Sequence, residues 1–428
     1  MSSERVILHS DMNNFYASVE CRYHPELRGC PMAVCGNPEL RHGIVLAKNE
    51  EAKRFGIQTG EPIWQAVRKC PEIVFAEPHY DLYTAYSKMA KEIYKGYTDQ
   101  VESFGLDECW LDVSGSTKLF GKGKVIAEEI RKKIRAELGV TVSVGVSFNK
   151  IFAKLGSDLK KPDAVTEIDK EDVKARIWPM PVGSLLYVGS STRNKLAKYG
   201  IFTIGELALS KVEFLRYILG KSGVMLWNFA NGYDLSPVSA AGMKRQIKSI
   251  GNSTTAPRDL TCEEDVKITL YLLCETVAAR LRKQDFVCGT VQLSLRDCEL
   301  FKYERQGGLQ IPSANAKDLF QKVFSLYREA KVARPLRSLG VRACGLSERE
   351  YVQLSLLPEE QKMHRQDRLE RAVEHVRDRY GQNSIQRGIM YTDPSLSRLN
   401  SDDDRFTNSY GFQRLQESAG NQICDVLY

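Results

Sequence analysis

The chain changes texture several times along its 428 residues, and the pattern of apolar and polar positions marks where. Up to about residue 168, strand-like apolar runs (RVILHSDM from Arg5, TVSVGVSF from Thr141) alternate with helical ones. In VIAEEIRKKIRAEL, from Val125, apolar residues return every three or four positions, the period of a half-buried helix. Between Asn13 and Pro78 the pattern is irregular, with Gly36, Pro38, Gly43, Gly56, Gly60 and Pro62 as punctuation. That is the texture of a small subdomain inserted into a mixed α/β core. From about Lys170 to Asp234 short helices are separated by glycine turns. YVGSSTRNKLAKYGIFTIGELA, from Tyr187, holds one such turn and LGKSG, from Leu219, a weaker second. Helix–hairpin–helix units of this kind aim backbone N–H groups at a nucleic-acid phosphate without reading bases. For the second copy, a plain helical bundle with glycine ends explains the pattern as well.

Residues 235–245 read as a connector. Beyond it come a strand (IKSIGNSTT), a capping-box pattern at Thr261-Cys-Glu-Glu264 that opens a long amphipathic helix to about Gln284, and two strands (GTVQLSLRD, GGLQIPSA). A helix from Ala316 to about Lys331 and the strand RSLGVRACGLS complete the set. The order β-α-β-β-α-β predicts a ferredoxin-like layout, a sheet with two helices on one side. From 349 onward the pattern lapses. A helix from about Gln366 to Tyr380 is expected, and the last thirty residues, with SDDD, have too little apolar content for a packed core.

Composition alters this picture mainly through charge. The length exceeds one compact core and fits three or four modules. Hydrophobic content of 43% and charged content of 27% are ordinary for a globular protein. No apolar run approaches the roughly 18 residues that span a bilayer, and the N-terminus lacks a signal-peptide core, so a cytoplasmic protein without a membrane partner is expected. The eleven cysteines include no CxxC pair and the six histidines do not cluster with them. Reduced thiols, rather than disulfides or zinc, are the expectation. Between Lys244 and Gly345 there are 18 Lys/Arg against 11 Asp/Glu, an excess of seven that equals the net charge of the whole chain. Such an excess suits a phosphate-backbone contact, although a solvated basic face accounts for the charge equally well.

The candidate chemistry is acidic. Asp11 ends the strand-like RVILHSD, where a buried aspartate is costly unless its charge is compensated. Asp107 and Glu108 are adjacent in VESFGLDECWLDV. Neighbours on a strand point to opposite faces, so both reach one site only at a strand end or tight hairpin. A lone strand aspartate is more often a cap or turn residue. Three acids together, with a basic surface downstream, point instead to divalent cations that relieve their repulsion. Two Mg²⁺ ions about 3.5–4 Å apart are the usual device for in-line phosphoryl transfer.

On these residues the chain resembles the Y-family, lesion-bypass DNA polymerases. DMNNFYASVE, from Asp11, is similar to their first motif and SFGLDECWLDVSG, from Ser103, to their second. SVGVSFNKIFAKLGSDLKKPDAV resembles the stretch that follows in the palm, PVGSLLYVGSSTRNKLAKYGIFTIGELA the thumb, and KSIGNSTT the start of the little finger. The resemblance runs in order over about residues 5–390. It implies an α/β (α+β) multidomain right-hand polymerase with a ferredoxin-like palm (1–12 and 79–168) and small fingers (13–78). A helix–hairpin–helix thumb (169–234), the connector (235–245), a ferredoxin-like βαββαβ little finger (246–348) and a C-terminal extension with a flexible tail (349–428) follow.

By the same resemblance Asp11, Asp107 and Glu108 are the catalytic metal-binding carboxylates, with the Met12 carbonyl as a further ligand of the two Mg²⁺ ions. Phe15 and Tyr16 line the nucleotide, Tyr16 being the steric gate whose ring leaves no room for a ribose 2′-hydroxyl. Lys161 reaches the triphosphate of the incoming dNTP. The fingers depart from the pattern: Glu50 and Lys53 stand where a tyrosine and an arginine usually grip the triphosphate. An acid cannot donate to a phosphate, and Lys53 keeps the charge without the arginine fork, leaving Arg54 as a substitute. This local sequence is nearer to the catalytic subunit of bacterial polymerase V, whereas the thumb and little finger resemble polymerase IV. Asn13 also replaces a common acid.

Primer–template DNA is the implied partner, held by Gly189 and Ser190 of the hairpin and by Lys244, Arg245, Lys248 and Arg337 of the little finger. Gln353-Leu354-Ser-Leu356-Leu357-Pro resembles the peptide by which bacterial polymerases dock on the sliding clamp. A monomer is expected, with low fidelity and no proofreading, because no nuclease-like acidic motif is present. The alternative is a non-catalytic DNA-binding adaptor on the same fold, which should have lost a metal carboxylate; all three are present. A nuclease using the same metals lacks an obvious base and leaves Tyr16 unexplained.

Overall fold

The first apolar run, Ile7–Met12 (β1), is buried at every position and not at alternate ones. It is the middle strand of a sheet covered on both faces, which removes the solvent side that produces alternation. In the computed structural model of the chain, residues 5–37, 41, 43–243, 246–348, 358–381 and 383–397 are described. They fall into two compact units, residues 1–36 with 44–244 and residues 37–43 with 245–428.

In the first unit β1 leads into α1 (Phe15–Tyr23) and then a small sheet with its own core. That part comprises β2 (Met32–Cys35), β3 (Val45–Lys48), α2 (Glu50–Arg54), α3 (Ile63–Lys69) and β4 (Val74–Ala76), in the strand order β3-β2-β4. Asn49 holds it together: its Oδ1 accepts from Ala52 N (2.9 Å), capping α2, and from Met32 N (3.1 Å). The chain returns through α4 (Tyr80–Lys95), β5 (Val101–Ser103), β6 (Glu108–Asp112), α5 (Thr117–Phe120), α6 (Gly123–Leu138), β7 (Val142–Ser147), α7 (Lys150–Leu159) and β8 (Val165–Ile168). The main sheet has the order β5-β6-β1-β7-β8, antiparallel except at β7–β8. Gly139, at φ 68°, ends α6 in a conformation that side chains resist.

Short helices follow: α8 (Ser190–Ala197), α9 (Ile204–Leu209), α10 (Val212–Leu219) and α11 (Lys221–Ala230). Gly220, at φ 65°, joins the last two at the predicted second turn. A true capping box forms at Thr203 and Glu206. The connector is strapped to the first unit, with Ala241 N donating to Asp99 O (2.8 Å) and Ser239 N to Glu102 Oε2 (2.9 Å).

The second unit runs β9 (Ser249–Leu260), α12 (Glu263–Lys283), β10 (Phe286–Asp297), β11 (Lys302–Ser313), α13 (Ala316–Ala330) and β12 (Leu336–Glu348). Its antiparallel sheet, order β11-β10-β12-β9, buries one face under α12 and α13. The capping box expected at Thr261 and Glu264 does not form. Cys262 is the N-cap and makes no side-chain cap bond, while Asp265 accepts from Thr261 N at 3.0 Å. Arg258 grips Asp265 through both guanidinium nitrogens (2.7 Å each), so the charge wins over the Thr261 pattern.

The extension also differs from expectation, because α14 (Pro358–Tyr380) starts earlier and is docked. Its Glu370 is buried and meets Arg282 Nη1 at 2.6 Å, and α15 (Pro394–Ser397) adds Leu396 to the core. The tail beyond residue 397 lies outside the described residues. Among the described residues no helix is long and apolar enough to cross a membrane, and the ten cysteines are free thiols.

Candidate active site

Strand register assembles the acids. Asp11 lies directly opposite Glu108 across the β1–β6 pair. Asp107 sits just before β6, in the hairpin closed by Phe104 N donating to Glu108 O at 2.8 Å. Met12 N donates to Asp107 O at 3.0 Å and holds that hairpin against the end of β1. Two sequence-adjacent acids therefore reach one region because one is in a turn and the other begins a strand, the condition the pattern required.

Two lysines of the α7 region face these acids. Lys154 Nζ lies 2.8 Å from Glu108 Oε2, 3.2 Å from Asp11 Oδ2 and 3.4 Å from Asp158 Oδ2. Lys161 Nζ lies 2.8 Å from Asp11 Oδ2 and 2.9 Å from Asp158 Oδ1. The Lys161 loop is anchored from below, with Asp163 held at 2.9 Å by both Arg131 and Arg135. Behind Glu108 is His9, wholly buried, with Nε2 3.1 Å from Glu108 Oε2 and Nδ1 2.9 Å from Ser157 Oγ. The His9–Glu108 contact is close but off line for a hydrogen bond, and Glu108 Oε2 has no well-aligned donor.

These surroundings split the acids electrostatically. Burial, then the charges of Glu108 and Asp11, push the Asp107 carboxyl up to about 6. Burial acts the same way on Glu108, but His9 and Lys154 outweigh it and bring that carboxyl down to about 2. Burial likewise opposes the charge on Lys154, and Asp11, Glu108 and Asp158 overcome it, so the ammonium is held well above its ordinary value.

The donors suit a hard divalent cation: they are carboxylate oxygens, and a cation already sits among them in the form of the Lys154 ammonium. Among the described residues no three His, Cys, Asp or Glu side chains are close enough to ligate one ion. Lys154 must release Glu108 for such a shell to close. Asn13 makes no claim on that shell, since its amide is bonded to Thr141 Oγ1 (3.1 Å) and Ser143 Oγ (2.9 Å).

Tyr16 stands on α1 beside the acids: burial, and then the Asp107 charge, raise its phenol pKa. The Phe15 ring is buried in the core, 6.0 Å from that of Tyr83. Glu50 accepts from Asn14 Nδ2 at 2.9 Å and lies 3.5 Å from Lys53 Nζ. Its role is thus to tie α2 to the turn after Asp11, where Asn14 has φ 50°. Arg54 is exposed. His9, Lys154 and Asp158 were not singled out from the sequence. The spacing of Lys154 and Asp158, one turn apart on α7, with Lys161 just beyond its end, was the available signal.

Gly189 is the N-cap of α8 without a side-chain cap, followed by exposed Ser190. In the second unit Lys248 is exposed just before β9 and Arg337 lies at the bulge of β12. The sheet face opposite α12 and α13 carries Arg296, Lys302 and Arg342, which the charge count included but did not place. Lys244, Arg245, Gln353, Leu354, Leu356 and Leu357 lie outside the described residues.

Residues 10–158 match the impB/mucB/samB family, and residues 247–356 match that family's C-terminal domain. The chain is 54% identical over 398 residues to a DNA polymerase IV of Acetivibrio thermocellus, covering 92% of this chain and 100% of that one. It is 36% identical over 399 residues to DNA polymerase IV 2 of Bacillus subtilis, covering 92% and 96%. A solved Y-family DNA polymerase chimera shares the fold at a TM-score of 0.70 and 23% identity, over 80% of this chain and 99% of that one.

Proposed function

Because the chain belongs to the impB/mucB/samB family, in its DNA polymerase IV branch, we infer that it copies DNA, damaged templates included, by adding deoxynucleotides to a primer 3′-hydroxyl. It is a DNA-directed DNA polymerase of the Y-family fold, dependent on divalent metal. In this reading Asp11, Asp107, Glu108 and the Met12 carbonyl hold two Mg²⁺ ions. When bound, these supply Lewis-acid stabilisation to the attacking 3′-oxygen and the departing pyrophosphate.

The chain's own residues do the rest. Asp107 would serve as a ligand in its ionised form, and Glu108 is kept ionised by His9 and Lys154. Lys161 exchanges Asp11 for the anionic triphosphate, with Lys53 and Arg54 as further cations from α2. Lys154, once it leaves Glu108, stays beside Asp11 and Asp158 as a neutralising charge. The Tyr16 ring occupies the space a 2′-hydroxyl would need. Gly189, Ser190, Lys244, Arg245, Lys248 and Arg337 hold the duplex backbone, and Gln353–Leu357 docks on the sliding clamp. The enzyme works as a monomer in the cytoplasm.

The observation that supports the assignment best is the pairing of Asp11 with Glu108 across β1–β6, with Asp107 in the adjoining hairpin and an ammonium among them. It does not favour an adaptor, which has no use for neighbouring acids around a partly buried ammonium. The test is Asp107→Ala in primer extension with Mg²⁺. Incorporation is abolished, while primer–template affinity holds or tightens because an acid leaves a site that phosphates approach. Equal extension by mutant and wild type overturns the assignment.

A further inference from the structure

Tyr16 and Glu20 are four residues apart on α1 and so share one face of the helix. Against that face lies one side chain of α4, Tyr83, which touches both. Its ring stacks on Tyr16, with centroids 4.1 Å apart and planes 8° from parallel, and its hydroxyl donates to Glu20. Tyr80 closes the edge of the pair, T-shaped to Tyr16 at 6.0 Å and to Tyr83 at 5.7 Å.

Glu20 is fully buried, yet it is not left to bear its charge alone. Besides Tyr83 it receives His79 Nδ1, 3.0 Å from Oε2 and 3.1 Å from Oε1, and His79 N at 3.4 Å. The donors come from the N-cap, His79, and the first turn of α4, so the carboxylate fixes where that turn, and with it the Tyr83 ring, meets α1. Burial, and then the bond to Glu20, raise the Tyr83 phenol pKa, so it remains a donor. Phe15 also packs against Tyr83, with ring centroids 6.0 Å apart.

A stacked partner limits the tilt of a neighbouring ring, and a tethered hydroxyl limits the in-plane slide of the partner. We propose that Glu20 and Tyr83 are positioning residues for the sugar gate: the tether from Glu20 to Tyr83 sets the depth at which the Tyr16 ring stands, and so how strictly ribose is refused. This rests on the reading of Tyr16 as the gate. Neither residue touches the nucleotide; both act through Tyr16. A merely structural role, pinning α1 to α4, would lower activity with both sugars in parallel.

The experiment compares kcat/KM for dNTP and rNTP on one primer–template, with melting temperature recorded for each variant. Tyr83→Phe keeps the ring and its packing and removes only the hydroxyl given to Glu20. Tyr83→Leu removes the stack. The ratio of rNTP to dNTP efficiency should rise at least threefold in Tyr83→Phe and about tenfold in Tyr83→Leu, approaching the value for Tyr16→Ala. Glu20→Gln, which keeps an acceptor for the hydroxyl, should stay nearer to wild type than Tyr83→Phe. In the Tyr16→Ala background Tyr83→Phe should add nothing, because its effect runs through the missing ring. If Tyr16→Ala itself leaves sugar choice unchanged, the gate reading has failed. If Tyr16→Ala relaxes the choice while Tyr83→Phe and Tyr83→Leu do not, or lower both efficiencies together, the positioning role is wrong.

Discussion

Gly145→Ala tests the contact on which the whole site is built. Gly145 lies opposite His9 across the β1–β7 pair, so both point toward α7. A Cβ at Gly145 would stand 1.9 Å from Ala153 O and 2.5 Å from Ser157 N, both backbone atoms of α7. Relaxing the first contact to the ordinary 3.4 Å moves the helix by roughly 1.5 Å, the difference between those distances. The sheet cannot yield in exchange, since β1 and β7 are buried at every position. Overpacking against backbone belongs at the upper end of its range, about 3 kcal/mol, which for a unit of this size lowers the melting temperature by about 6–12 °C. The same shift parts Ser157 from His9, now 2.9 Å, and Lys154 from Glu108, now 2.8 Å. A displacement near 1 Å at catalytic groups costs about a hundredfold, so single-nucleotide kcat/KM should fall by at least that factor. Thermal melting of the metal-free protein and single-nucleotide extension are the assays. Gly115→Ala serves as the control, because nothing lies within 4 Å of its added carbon. A Gly145→Ala protein with wild-type melting and wild-type extension would refute the packing argument and the dependence of the site on it.

Further outcomes can be checked separately. Tyr16→Ala should raise ribonucleotide incorporation at least about tenfold, equivalent to roughly 1.4 kcal/mol of discrimination, with a much smaller change for dNTPs; parallel loss with both sugars would make Tyr16 only a packing residue. DNA affinity should fall steeply with salt, and Arg342→Ala, which clears a cation from the open face of the second sheet, should lower the log–log slope by about one; a salt-independent affinity would leave only a solvated basic face. Deleting 353–357 should abolish stimulation by a sliding clamp and leave extension of a short primer unchanged; persistent clamp binding excludes that motif. Asp107, raised to about 6 in the metal-free fold, is protonated below that pH and must ionise to hold a cation. Calorimetric Mg²⁺ affinity should therefore weaken about tenfold per pH unit below 6, with proton release on binding. The sign for stability is opposite: the native state binds this proton more tightly than the unfolded chain, so Asp107 by itself contributes stability as pH falls through about 6, opposed by buried His9, whose charged form burial disfavours. Mg²⁺ affinity unchanged between pH 7 and 5 would remove Asp107 from the ligand set.

Much of the site could be read from the chain because its signals are local. Asp11 at the end of an apolar run and an acid pair beside a glycine report their own positions, since strand ends and hairpins are decided by a few neighbouring residues. The glycines at 139 and 220 likewise mark helix ends through conformations that other residues resist. The β-α-β-β-α-β order of the second unit was legible for the same reason, period by period. Thr261 shows where local reading stops: its capping box lost to Asp265, because Arg258 offered that carboxylate a two-pronged ion pair that no short pattern contains. The early start and docking of α14 were missed because its buried contact is ionic, Glu370 on Arg282, and an apolar period cannot announce a charged interface.

What the sequence determined by itself was therefore the inventory: which strands and helices form, that three acids stand at strand ends, and that a basic module follows. Tertiary structure alone decided the company those residues keep. His9 behind Glu108, Lys154 between Glu108 and Asp11, and Tyr83 spanning Tyr16 and Glu20 join residues 99, 143 and 67 positions apart, counting His9 to Glu108, Asp11 to Lys154 and Tyr16 to Tyr83. The physical reason is range. Backbone conformation is set by neighbours along the chain, whereas ionisation, stacking and steric exclusion depend on distances of 3–4 Å, which exist only after the sheet has closed and Gly145 has let α7 down onto it.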